Sequence, residues 1–100
     1  VKQIAAMPEP VSFGRDPDCS VALNDGRVSR RHAILRLRGG ELELTDLGSR
    51  NGTALDGAKI AANATVSVRA TSVLRMGEAV ITFGWAMAEA LADGLSAPRG

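Results

Sequence analysis

A chain of 100 residues is the size of one small domain, and its 45% apolar content supplies a core, which excludes intrinsic disorder. Its 12 basic and 11 acidic residues leave a net charge of +1, too balanced for a general polyanion binder. Three aromatics (Phe13, Phe83 and Trp85) are too few for a base-stacking platform, so nucleic acid is not an expected partner. The one cysteine, Cys19, excludes an internal disulfide and fits a reducing, cytoplasmic compartment. With a single histidine, His32, it also falls short of a zinc ligand set, and neither a metal nor a cofactor is expected. No apolar run nears the ~20 residues that span a bilayer, so no membrane partner is expected either. The chain opens Val-Lys-Gln without a methionine and reads as a domain taken from a longer polypeptide.

In chain order, the first short apolar runs are Val11-Ser12-Phe13 and Val21-Ala22-Leu23. The clearest elements follow: residues 32–38 alternate, as do residues 41–46, and Gly39-Gly40 between them can supply the positive φ angles of a two-residue hairpin. That register pairs Arg38 with Glu41 and Arg36 with Glu43 on one face, and Leu37 with Leu42 and Leu35 with Leu44 on the other. Two tight-turn dipeptides, Asn51-Gly52 and Asp56-Gly57, bracket a short strand at residues 53–55. Further strands are expected at 65–68, 73–75 and 79–83. Many short strands between turn signals predict an all-β sandwich rather than βαβ units. The exception is residues 85–93, rich in helix formers, where Trp85, Ala88, Ala92 and Leu95 share a face and Gly94 can end a helix.

Three motifs lie where these runs begin or end, and so are expected at loop tips: Gly14-Arg15, Ser29-Arg30-Arg31-His32 and Ser49-Arg50-Asn51-Gly52-Thr53. They place arginine, hydroxyl and amide groups on connections that a β scaffold can gather at one end. Such a set suits gripping a phosphate attached to a peptide, since charge-assisted hydrogen bonds are worth about 1.5–3 kcal/mol each. A catalytic reading would join Ser29, His32 and Asp46 in a triad, but it needs Ser29 and His32 to face each other, and no nucleophile elbow surrounds Ser29.

Taken together, Phe-Gly-Arg-Asp-Pro-Asp-Cys (13–19), Val-Ser-Arg-Arg-His-Ala (28–33) and Asp-Leu-Gly-Ser-Arg-Asn-Gly-Thr (46–53) resemble the forkhead-associated (FHA) domain. Leu-Asp-Gly-Ala-Lys-Ile (55–60) and Val-Leu-Arg-Met-Gly-Glu, with Phe-Gly after it (73–84), extend the resemblance to about residues 11–84. It implies two twisted antiparallel sheets of about eleven strands with recognition loops at one end, a domain over 1–84, and a helical extension and linker over 85–100. Family members have one or two full strands before the Gly-Arg pair, so the first strand here, roughly residues 1–6, must be short or trimmed.

The family binds phosphothreonine peptides and does no catalysis, so this chain is expected to be no enzyme. Its expected partner is a phosphothreonine protein or peptide made by a Ser/Thr kinase, in another protein or in the same polypeptide. The resemblance assigns phosphate and peptide contact to Arg15, Ser29, Arg30, Arg50 and Asn51. Gly14, His32 and Gly52 support the loops, with His32 bonding neighbouring backbone. Arg31 is expected in solvent, and Arg27 adds positive potential or selects acidic peptide residues. The last matching runs look like those of bacterial signalling or regulatory proteins. The rival is a phosphate-independent interaction or oligomerisation domain on the same sandwich.

Overall fold

A computed structural model gives the backbone of residues 2–4 and residues 10–83 in full, and these are the described residues. They form ten strands: β1 (Lys2–Ile4), β2 (Val11–Gly14), β3 (Val21–Ala22), β4 (Ala33–Arg38), β5 (Glu41–Asp46), β6 (Thr53–Leu55), β7 (Ala58–Lys59), β8 (Thr65–Val68), β9 (Leu74–Met76) and β10 (Ala79–Phe83). The strands make two five-stranded sheets, in the orders β1-β10-β9-β6-β7 and β3-β2-β4-β5-β8. Pairing is antiparallel except for β1 with β10 and β2 with β3. Ten strands are described where the resemblance implied about eleven, and the expected helix at 85–93 lies outside the described residues.

The hairpin of β4 and β5 forms where the alternation placed it. Gly39 and Gly40 take φ of +59° and +83°, the left-handed pair that a two-residue turn requires. All four expected pairs are present: Leu35 with Leu44, Arg36 with Glu43, Leu37 with Leu42 and Arg38 with Glu41. Two details differ from the flat-ladder expectation. Leu37 is 46% exposed, because the core ends before the hairpin tip does. The ion pair of this face runs diagonally, Arg38 to Glu43 at 3.6 Å. Sheet twist brings diagonal neighbours within reach of long side chains.

The inner faces of both sheets close on one core. Phe13, Leu35 and Leu44 from one sheet meet Leu74, Met76 and Ile81 from the other, all at most 1% exposed. Each such side chain contributes roughly 1.5–3 kcal/mol over its exposed state. The second turn dipeptide also behaves as expected, with Asp56 at φ +51° and Gly57 at +87° between the paired Leu55 and Ala58. Asn51-Gly52 does not: only Gly52, at φ +86°, is left-handed, and the segment is a loop rather than a hairpin turn. β9 begins one residue later than expected, since the Val73 N–H donates to the Asp56 side chain (2.8 Å) instead of to a neighbouring strand.

Register decides which loops meet. Phe13 pairs with Ala33, and Ala33 pairs with Asp46, so the end of β2, the start of β4 and the end of β5 lie side by side. In the other sheet Thr53 pairs with Met76, which brings the start of β6 beside the end of β9. The Thr53 hydroxyl donates to Asp46 Oδ1 at 2.7 Å and ties these two groups together.

Candidate functional site

The loop after β2 lies directly against the loop before β4. Arg15 N–H donates to Ser29 O (3.0 Å) and Asp16 N–H to Arg30 O (3.1 Å). Gly14 permits this approach: a Cβ there would collide with the Arg30 carbonyl and stand 2.9 Å from Cys19 Sγ. Its need for glycine is room rather than the backbone freedom a turn demands, since no left-handed φ occurs at 14. The buried Cys19 fills the same corner, with its thiol 3.5 Å from Arg30 O. Arg15 itself is anchored by Nε on the Val28 carbonyl at 3.1 Å, which aims an otherwise mobile side chain.

Behind the Ser29 loop sits His32, with no exposed surface. Its Nδ1 accepts the Ser29 N–H at 3.0 Å, so the proton resides on Nε2, which donates to Gly52 O at 2.8 Å. One ring therefore staples the Ser29 loop to the Gly52 loop. The triad geometry is missing among the described residues: His32 meets the backbone of Ser29 rather than its hydroxyl. The Ser29 N–H is therefore occupied by the imidazole rather than open to a ligand. Ser29 Oγ accepts the Arg50 N–H at 3.0 Å, which leaves its own O–H free to donate outward.

Asp46 does for the second loop what His32 does for the first. Buried at the end of β5, it accepts the Gly48 and Ser49 N–H groups on Oδ2 and the Ser49 and Thr53 hydroxyls on Oδ1, at 2.6–2.9 Å. Burial pushes its carboxyl up, but these four donors outweigh that and hold it below the ordinary value of 3.8. Gly48, at φ +73°, completes the turn. The signal was present in Asp-Leu-Gly-Ser, an acceptor two and three residues before the N–H groups it caps.

The Ser29 loop, the connection over residues 23–32, is also latched to the β9–β10 turn. Asp25 accepts the Arg27 N–H on Oδ1 (2.9 Å) and the Glu78 N–H on Oδ2 (2.7 Å), and these two backbone donors keep its carboxyl below the ordinary value. Arg27 forms an ion pair with Glu78. The Arg27 carbonyl accepts Asn51 Nδ2 at 2.8 Å, which fixes the Asn51 amide. Asp25 escaped the sequence reading, because its bond from Glu78 depends on a contact between distant loops.

These supports converge on a cleft of about 170 Å³ lined by Arg15, Gly26, Arg27, Val28, Ser29, Arg30, Arg50 and Asn51. All five residues expected to touch a ligand line it, and the three expected supports, Gly14, His32 and Gly52, do not. The described residues place four arginines around one hydroxyl and one amide, with no carboxylate in the lining.

The described residues thus form a two-sheet all-β module with a cationic cleft between its end loops. The chain belongs to the FHA domain family, whose model matches residues 11–77. FhaB of Mycobacterium tuberculosis is 40% identical over 79 residues, which cover 79% of this chain and 50% of that protein. Glycogen accumulation regulator GarA of Mycolicibacterium smegmatis is 57% identical over 42 residues, 42% of this chain and 27% of that one. Among solved structures, the N-terminal FHA domain of Saccharomyces cerevisiae Rad53p in complex with a phosphothreonine peptide superposes with a TM-score of 0.64 at 34% identity, over 69% of this chain and 56% of that one. The chain thus spans about half the length of the FhaB relative and about a quarter of GarA. No helix among the described residues is long and apolar enough to cross a membrane.

Proposed function

We propose that residues 1–84 form a phosphopeptide-binding module that recognises phosphothreonine in a partner protein or in its own polypeptide, within a bacterial cytoplasmic signalling protein, and that 85–100 are its helical extension and linker. The observation that carries this is the cleft that gathers Arg15, Ser29, Arg30, Arg50 and Asn51. A phosphothreonine carries a charge of about −1.5 to −2 and three acceptor oxygens at neutral pH. Arg15, anchored through Nε, offers its remaining guanidinium N–H groups, and Ser29 offers the O–H left free by its bond from Arg50. Arg30 and Arg50 surround the anion with further donors. Asn51, held by Arg27 O, keeps its carbonyl oxygen and one N–H for the peptide backbone beside the phosphate. Recognition proceeds without bond-breaking, since both nitrogens of His32 serve the loop backbone.

Burying the threonine methyl is worth roughly 0.8 kcal/mol, only about fourfold over phosphoserine. Strong discrimination therefore needs phosphoserine to sit in a poorer geometry as well. Calorimetric titration of paired peptides tests the reading: the phosphothreonine form binds at least about tenfold tighter than the threonine form, and Arg15→Ala erases that ratio while the fold survives. Equal affinities for the two peptides favour phosphate-independent docking instead.

A further inference from the structure

Arg15 and Asn51 come from different loops, yet one short stretch of backbone holds both. Arg15 Nε donates to the Val28 carbonyl at 3.1 Å, and Asn51 Nδ2 donates to the Arg27 carbonyl at 2.8 Å. The side chain proposed to meet phosphate and the one proposed to meet peptide thus depend on two consecutive carbonyls. Asp25 fixes them. Its backbone carbonyl accepts the Val28 N–H at 3.0 Å and closes a turn over residues 25–28. Its side chain accepts the Arg27 N–H inside that turn (2.9 Å) and the Glu78 N–H of the β9–β10 turn (2.7 Å). One half-buried carboxylate therefore ties an otherwise exposed turn to the body of the sandwich. Gly77 packs closely on it: a Cβ there would stand 2.9 Å from Asp25 Oδ2 and 3.0 Å from Arg27 Cβ. Asp25 itself lines no part of the cleft.

We infer that Asp25 is a positioning residue for both halves of the site: through the Arg27 and Val28 carbonyls it aims Asn51 at the peptide backbone and Arg15 at the phosphate. The inference rests on the phosphothreonine reading above and adds what holds that site ready. Side chains fixed before a ligand arrives need not be ordered when it binds, so less of the interaction is spent on ordering. Electrostatics alone makes the opposite forecast. A carboxylate close to a cationic cleft repels an anion, so removing it would strengthen phosphopeptide binding. The sign of the effect separates the two.

The test is Asp25→Asn, which keeps the size of the side chain but leaves one oxygen for two N–H donors. Titration with a phosphothreonine peptide shows affinity lowered at least about tenfold, although the variant carries one negative charge fewer. Glu78→Gln also loses a charge but keeps its backbone N–H, and it binds the peptide as tightly as the unaltered protein or more tightly. In heteronuclear NMR spectra of the free Asp25→Asn variant, the Arg15 Nε–H and Asn51 Nδ2 signals move to those of solvent-exposed groups. The Gly48 and Ser49 amides, held by Asp46, keep their positions and show that the domain is folded. The losses from Asp25→Asn and Asn51→Ala combine to less than their product, because both remove the same contact. Affinity that is unchanged or raised in Asp25→Asn, side-chain signals that do not move, or losses that multiply in full overturn the inference and leave the phosphothreonine reading standing. An equal loss in Glu78→Gln overturns it too, since the ion pair with Arg27 would then be the cause. Failure of the unaltered protein to bind the phosphopeptide overturns both readings.

Discussion

Gly14, His32 and Asp46 touch no proposed ligand, yet they determine where the ligand-facing groups stand. His32 spends both ring nitrogens on backbone, and Asp46 spends both carboxylate oxygens on four donors. Gly14 acts through what it lacks. The atom a side chain would strike is the Arg30 carbonyl, which is backbone and cannot rotate aside. Gly14→Ala is therefore expected to part the two loops, break the Arg15–Ser29 and Asp16–Arg30 backbone bonds, and cost about 1–3 kcal/mol of stability. Urea unfolding should register that loss, and phosphopeptide affinity should fall by more than tenfold; an unchanged affinity would show that the loops can part without harm to the cleft. The Gly-Arg pair was legible as a motif, but its reason was not. A close approach between residues 14 and 30 becomes visible only once β2 and β4 are in register.

At the level of elements, the β4–β5 hairpin shows how far local pattern reaches. Strict alternation and two adjacent glycines specified every cross-strand pair, because a one-residue slip would turn Leu35, Leu42 and Leu44 toward water. The same logic overreached at Leu37, since a pattern states which face a residue takes but not how far the opposite sheet extends. Gly39 has φ of +59° with nothing within 4 Å of a notional Cβ, so Gly39→Ala isolates backbone strain from crowding. An L-residue in that region costs about 1–2 kcal/mol. The expected outcome is a lower urea midpoint with unchanged phosphopeptide affinity, because the turn lies at the far end of a six-residue strand from the cleft. A change in affinity would mean that the two ends of the sandwich are coupled. The Asn51-Gly52 loop makes the converse point. Its dipeptide suits a tight turn, but Asn51 Nδ2 donating to Arg27 O and His32 Nε2 donating to Gly52 O hold it in another shape. Tertiary partners override local preference there.

For the whole molecule, the buried Asp46 carboxylate links the two sheets to solution pH. Its carboxyl is held below 3.8 in the folded state, so the unfolded chain takes up the proton first as pH falls. The stabilisation it supplies is complete well above pH 3.8, declines below it, and is gone once pH drops beneath the folded value. Asp46→Asn should cost about 1–3 kcal/mol at pH 7, where buried charged hydrogen bonds are weakened, and the gap to the unaltered protein should narrow toward pH 3. Denaturant unfolding across that range measures it, and a constant gap would assign the acid sensitivity to other groups. Net charge is equally a whole-molecule matter. The total is only +1, but folding gathers cations around one end and pairs or disperses the rest.

By itself, the sequence determined the short alternating strands, the register of the central hairpin, and the loop residues that line the cleft. These follow from periods of two residues and from turn chemistry, which act over a few positions. Only the tertiary structure decided which strands share a sheet, that the first strand runs parallel to the last, and that Ser29 meets Arg50 across 21 residues and Asn51 meets Arg27 across 24. The physical reason is that such pairings are chosen by how two apolar faces close on a common core. That closure sets the distances between loops, and no local propensity encodes it.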